Sequence, residues 1–337
     1  MAVSNGGALL SLKGVHRHYV TGDVVVRALD GIDLEVREGE VVMLQGPSGS
    51  GKTTLLNIVS ALDSPTSGTY RFDGELVPSV PPIRTLNRRV SRMVNTSLQP
   101  VGWLAELIAN SILRVFTLPI RTIQGWTIGT ALEEMTEFRR ENVGYVFQFF
   151  NLLGDLTALE NVMLAQEIHG GRDKERALRV LNMVGLAGME DRFPSELSGG
   201  EKQRVCIAKA LAAEPNLIIC DEVTSALDQL VAEDILKLLQ RLQNELSMSY
   251  LFITHDLATV KAISDEIVVM LQGRVVEYGS RDEVMAPPHH EYTELLLASV
   301  PEMDPDWLDN LLKTRVGALL REGPASEHAV KNKQSVK

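Results

Sequence analysis

At 337 residues the chain can bury one large core or two modest ones, and its 45% hydrophobic and 23% charged content is that of an ordinary folded, soluble protein. A formal net charge of -11 argues against a nucleic-acid partner, because phosphate backbones reward clustered positive charge. The two cysteines, Cys206 and Cys220, both lie in apolar runs and read as buried thiols of a reducing compartment, not as a disulfide or a metal site.

The opening MAVSNGGALLSLKG has no basic start leading into an apolar run, so no secretory signal is expected. LLSLKGVHRHYV and VVVRALDGIDLEV alternate as strands, broken at Gly22-Asp23 and at Gly31. Val41 to Leu44 is a continuous apolar run, a buried strand, and it enters a glycine-rich turn followed by the helical TTLLNIVSAL. Strand, glycine-rich loop and helix are the opening of an α/β sheet.

From about residue 75 to 130 the pattern changes to the Pro-rich VPSVPP, a basic patch (Arg84, Arg88, Arg89, Arg92) and an apolar segment, Leu98 to Ile120. Glu106 and Arg114 interrupt that segment, so it falls short of the roughly 18 apolar residues of a spanning helix and predicts an amphipathic or buried one. Any membrane contact is then expected through a partner. The α/β pattern resumes at FRRENVGYVFQ, and Ala158 to Leu211 reads as mainly helical. A second buried strand (Leu217 to Cys220), a helix (Val231 to Leu246), a third strand (Tyr250 to Thr254) and a short strand (Glu266 to Met270) follow. After about Pro301 the chain is polar, as in a loosely docked appendage.

Gly46-Pro-Ser48-Gly49-Ser50-Gly51-Lys52-Thr53-Thr54 fits the phosphate-loop pattern G-x-x-x-x-G-K-[ST]. Its glycines let successive N–H groups curl toward phosphates, and the following helix adds its positive end. Lys52 can reach the terminal phosphates of ATP, and the Thr53 hydroxyl can hold Mg²⁺. LIICDE, an apolar strand ending in adjacent carboxylates, puts Asp221 in place for the Mg²⁺ shell and Glu222 to orient or deprotonate a water. Leu197-Ser-Gly-Gly-Glu201 is a second anion-binding device, with Ser198, Gly199 and Gly200 at a helix start. Two such cradles far apart in sequence make sense in a head-to-tail dimer, where each ATP lies between one chain's phosphate loop and its partner's LSGGE.

With these motifs the chain resembles the nucleotide-binding subunit of the ATP-binding cassette (ABC) transporters. Phosphate loop, glutamine (Gln148 in VGYVFQ), LSGGE, Asp–Glu strand, SALD (Ser225 to Asp228) and histidine (His255 in FITHD) occur in the family's order over roughly Leu10 to Pro287. The resemblance implies an α/β fold with the P-loop NTPase core of ABC type, an antiparallel β subdomain and a helical signature subdomain near 158–211. It implies a cassette over residues 1–300 with an insertion at about 75–130, then a polar tail over 301–337. It implies that Gln148 touches Mg²⁺ or the attacking water, that His255 contacts the γ-phosphate and steadies Glu222, and that Asp228 couples the two sites. Tyr19 would stack on adenine; His16 and His18 beside it read as exposed strand residues.

The implied partners are a second cassette, identical or not, and integral membrane permease subunits, with the chain peripheral on the cytoplasmic face. DEVTSALD and the stretch from DLATVKAISDEIVVMLQGRVVEYGS to PEMDPDWLD resemble oligopeptide and dipeptide permease subunits. The extension of those subunits can bind an iron–sulfur cluster through several cysteines; this chain has none there, so no cluster is expected. The N-terminal half, from HYVTGDVVVRALDG to FFNLLGDLTALENV, is similar instead to the lipoprotein-releasing and macrolide-exporter type. The insertion's apolar segment is expected either to dock the membrane partner or to cover its own face against the cassette. Rival readings are a non-transport ABC ATPase and a regulatory cassette with weak catalysis; intact Lys52, Asp221, Glu222 and His255 count against the second.

Overall fold

The computed structural model describes residues 7–80, 129–168 and 171–298. The apolar segment 98–120, most of the expected insertion and the tail beyond 300 lie outside them.

The chain opens with two long antiparallel strands, β1 (Ala8–Thr21) and β2 (Val24–Arg37), joined at Gly22-Asp23 as expected. With β4 (Ser67–Phe72) and the short β5 (Glu75–Leu76) they form an antiparallel sheet in the order β2-β1-β4-β5. Gly31 does not break β2 as expected. Val15 pairs with Ile32 and His16 with Asp30, so Gly31, at φ +83°, is an extra residue absorbed as a bulge. A second bulge follows at Ala28, because Arg17 pairs with Leu29 and His18 with Arg27. These irregularities turn the segment 26–30 toward the phosphate loop.

The central sheet runs β10-β9-β3-β8-β7-β6, from β3 (Val41–Gln45), β6 (Val143–Val146), β7 (Leu217–Asp221), β8 (Ser249–Ile253), β9 (Glu266–Leu271) and β10 (Arg274–Ser280). All its pairings are parallel except β9 with β10. A parallel strand covered on both faces needs a continuous apolar run, which is why VVMLQ and LIICD contain almost nothing else. The period of two then splits each strand between two cores. Val42 and Leu44 join the core under the antiparallel sheet with α1 (Lys52–Val59). Met43, Ile218 and Cys220 face the opposite core, which α3 (Ala158–Ile168), α4 (Lys174–Met183), α5 (Gly199–Leu211) and α6 (Gln229–Leu246) complete.

The segment 129–142 forms α2, so FRREN closes a helix before β6 begins. The helical section expected from Ala158 to Leu211 is realised as α3, α4 and α5. The last described elements are α7 (Leu257–Ile263), α8 (Arg281–Met285) and α9 (Glu291–Ala298). Among the described residues, no helix is long and apolar enough to cross a membrane.

Candidate functional site

The phosphate loop leaves the C-terminal end of β3, at the centre of the parallel sheet, where ligands of open α/β sheets gather. Its glycines are required by space as well as torsion. A side chain at Gly46 (φ +149°) would strike the Met270 carbonyl, and one at Gly51 (φ +103°) would stand 2.5 Å from the Ala28 carbonyl oxygen. The loop closes on itself through Ser50 N–H to Pro47 O (3.2 Å) and Leu55 N–H to Gly51 O (2.8 Å). It is also tied outward: Gly273 N–H donates to Ser50 O (2.9 Å), and Asp30 N–H donates to Gly273 O (2.8 Å).

Lys52 is 8% exposed and its Nζ donates to the loop's own carbonyls, Gly46 O at 2.6 Å and Pro47 O at 3.0 Å. Burial holds this ammonium below the usual lysine value, while Glu222 and Asp221 act to raise it. Asp221 closes β7 opposite Ile253. Burial and then the adjacent Glu222 push its carboxyl above the ordinary aspartate value, against the pull of Lys52 and His255.

Glu222 has left-handed backbone, φ +50°. Its N–H donates to Ile253 O (2.9 Å), and its carbonyl accepts from Ser225 N–H (3.1 Å) and Oγ (2.9 Å). Its carboxylate meets His255 Nε2 at 2.8 Å. The turn bearing His255 is fixed from beneath: buried Gln45 donates from Nε2 to Thr254 O (2.6 Å), and Thr254 Oγ1 accepts from Asp256 N–H (3.1 Å).

Ser48, Gly49, Gly51, Lys52, Thr53 and Thr54 thus share one cleft of ≈ 430 Å³ with Asp221, Glu222 and His255. Ile253, at the end of β8, completes the wall with Val26, Arg27, Ala28 and Gln272, and sequence reasoning missed these last four as it missed Ile253. Bulges and a β9–β10 turn bring them in, and neither leaves a motif. Gln45 was missed too, although a polar residue ending an apolar strand ahead of the loop is a readable signal.

Tyr19, Gln148 and Asp228, also expected at the site, do not line this wall. Tyr19 pairs with Val26 across β1 and β2, so the two side chains share a face beside the cleft. The Arg17 guanidinium lies 4.6 Å from the Tyr19 ring centroid, and its hydroxyl donates to Asp63 (2.9 Å). Gln148 is half-buried, two residues past the end of β6. Asp228 caps α6, its Oδ1 accepting from Val231 N–H at 3.1 Å.

Ser198 caps α5 in a capping box: its Oγ accepts from Glu201 N–H (3.3 Å) and its own N–H donates to Glu201 Oε2 (2.7 Å). These backbone contacts, with the Ser198 hydroxyl, hold the Glu201 carboxyl below its ordinary value. Ser198 and Gly199 are exposed. A side chain at Gly200 would come within 2.6 Å of Val231 Cγ1, so the segment packs on the start of α6. Neither these residues nor Asp228 line the cleft of the phosphate loop.

His16 and His18, expected to be exposed, are only about a third exposed, and both turn toward Asp30.

Residues 29–104 and 111–225 match the family described as ABC transporter, and residues 276–324 match the C-terminal region of oligopeptide/dipeptide transporters. The methionine import ATP-binding protein MetN of Rhodopseudomonas palustris (strain BisA53) is 38% identical over 307 residues, which cover 89% of this chain and 68% of that protein. Its namesake in Staphylococcus saprophyticus is 34% identical over 289 residues, covering 85% of this chain and 70% of that one. The chain therefore spans about two thirds of the length of these relatives.

Among solved structures, the ATP-binding cassette MJ0796, a dimer in a post-hydrolysis state bound to ADP and Pi, is 31% identical with a TM-score of 0.58. The match covers 80% of this chain and 98% of that one. Clostridium perfringens cbiO1, part of the ABC transporter complex cbiONQ, shares the fold at 23% identity, with a TM-score of 0.60 over 93% of this chain and 99% of its own. The chain belongs to the ABC transporter family, as an ATP-binding subunit whose ATPase activity is coupled to transport.

Proposed function

We propose that this subunit works in a head-to-tail pair of cassettes, each ATP lying between the phosphate loop of one chain and Ser198–Gly200 of the other. The observation that carries this reading is the separation of the two cradles. Lys52, Asp221, Glu222 and His255 share one cleft, while Ser198 and Gly199, exposed at the start of α5, do not line it.

In this arrangement Lys52 leaves its loop carbonyls for the phosphates of ATP, and the N–H groups from Gly49 to Thr54 follow. Thr53 and Asp221 would hold Mg²⁺, with Gln148 reaching the same shell. A hydroxyl and a carboxylate suit a hard cation, and the raised carboxyl of Asp221 fits a group awaiting a positive charge. When bound, the ion screens the phosphate charge. Glu222 then orients water toward the γ-phosphate, and His255, already 2.8 Å from it, keeps that carboxylate aimed. Tyr19 stacks on adenine beside Val26, and Asp228, next to the signature segment, couples the two sites.

The membrane subunits that carry the cargo are separate chains, and the subunit sits on their cytoplasmic face. The similarity to methionine import subunits and to the peptide-transporter C-terminal region supports import of an amino acid or short peptide.

ATPase rate against protein concentration tests the shared site. A rate rising more steeply than concentration, with ATP-dependent dimers in Glu222→Gln, is expected. A rate strictly proportional to concentration down to dilute monomer would overturn the shared site.

A further inference from the structure

On the strand pair beside the nucleotide cleft, His16, His18 and Asp30 converge. His16 and His18 are two apart on β1 and project from one face, and His16 lies directly across from Asp30. His16 Nδ1 is 3.3 Å and His18 Nε2 3.9 Å from the same oxygen, Asp30 Oδ1. One ligand atom from each residue fits within a span of 4.8 Å.

Both imidazole nitrogens are buried at the atom level and have no hydrogen-bond partner among the described residues. Buried ring nitrogens normally find a hydrogen bond, and these two face one carboxylate oxygen without forming one of good geometry, which leaves both lone-pair positions open to a shared cation. Asp30 is itself held by Arg274, whose Nε and Nη2 donate to Oδ2 at 3.0 and 2.6 Å. That contact orients the carboxylate and leaves Oδ1 for the histidines, as an outer partner does for a ligating carboxylate.

We propose that His16 Nδ1, His18 Nε2 and Asp30 Oδ1 form a binding site for a divalent transition-metal ion of the zinc class. Two imidazoles and one carboxylate are a donor set for such an ion. Ligands at 2.0–2.1 Å in tetrahedral array stand about 3.3 Å apart, which the His16–Asp30 spacing already meets. A small rotation of His18 closes the rest. Both imidazoles are partly exposed, so the rings stand close to solvent although their facing nitrogens are covered. The site is distinct from the Mg²⁺ position assigned to Thr53 and Asp221: it lies on the antiparallel sheet and uses nitrogen donors.

Zn²⁺ titration of the chelator-stripped full chain against a chromophoric competitor, in excess Mg²⁺ and without nucleotide, tests it. One tight ion per chain is expected, weakened at least 100-fold by the pair His16→Ala and His18→Ala and retained in His255→Ala. Binding unchanged by the double substitution, abolished by His255→Ala, or absent from the unaltered chain would overturn the site. Should the double variant misfold, zinc-edge anomalous scattering from crystals of the unaltered chain decides. A peak between His16, His18 and Asp30 supports the site; a peak elsewhere, or none, removes it.

Discussion

The two anion cradles of this chain are built on opposite plans. The phosphate loop sits at the end of a wholly buried strand, has three left-handed glycines and encloses a buried ammonium with two carboxylates nearby. The Ser198 cradle stands on the surface and meets its own needs through a capping box with Glu201. The first is complete in charge and geometry within one chain. The second is stable without a ligand and offers a hydroxyl and helix N-terminal donors to something brought from outside. In the proposed assembly this contrast divides the labour: the buried cradle carries the chemistry and the exposed one its timing.

The sharpest break of this contrast is Glu222→Gln. It removes the carboxylate proposed to direct water but not the cleft, so turnover should fall by about 10²–10⁴-fold with ATP affinity kept, read by single-turnover assay and equilibrium binding. Next comes complementation. Lys52→Ala and Gly199→Asp should each abolish turnover, and mixing the two should restore part of it, because one composite site in the mixed pair is intact. No recovery on mixing would place both cradles in service of a single chain. His255→Ala, which frees the Glu222 carboxylate, should slow turnover by about 10²-fold, less than loss of the base itself.

A smaller effect separates the cradles by stability. Asp221 is held partly buried with its carboxyl raised, so its ionised form disfavours the nucleotide-free fold at neutral pH. That cost vanishes as pH falls below the ordinary aspartate range. Asp221→Asn should therefore raise the melting temperature of the nucleotide-free chain at pH 7 by about 2 °C, with no gain in strong acid. Ser198→Ala has the opposite sign. It deletes a cap and should lower stability by about 1 kcal/mol in chemical denaturation, independent of Asp221→Asn.

Much of the fold was readable because burial on both faces forces apolar runs: Val41 to Leu44 and Leu217 to Cys220 each became a central strand. The cleft was readable where function demands a residue type, at Lys52, Asp221 and Glu222. β10 escaped notice because RVVEYGS is half-exposed at a sheet edge and mixes polar with apolar residues. Gly31 was misjudged because a glycine within a strand pattern marks either an end or a bulge, and only pairing tells which. His16 and His18 were misjudged because their surroundings come from Asp30 and Arg274, the latter more than two hundred residues away.

The left-handed backbone at Glu222 has an evolutionary side. A glutamate held at φ +50° costs its fold something that asparagine or glycine at the same position would not. Mutational drift at this position therefore runs downhill in stability as it runs away from catalysis. A duplicated copy freed from selection for turnover would be expected to lose this carboxylate early and to persist as a folded cassette that still binds nucleotide.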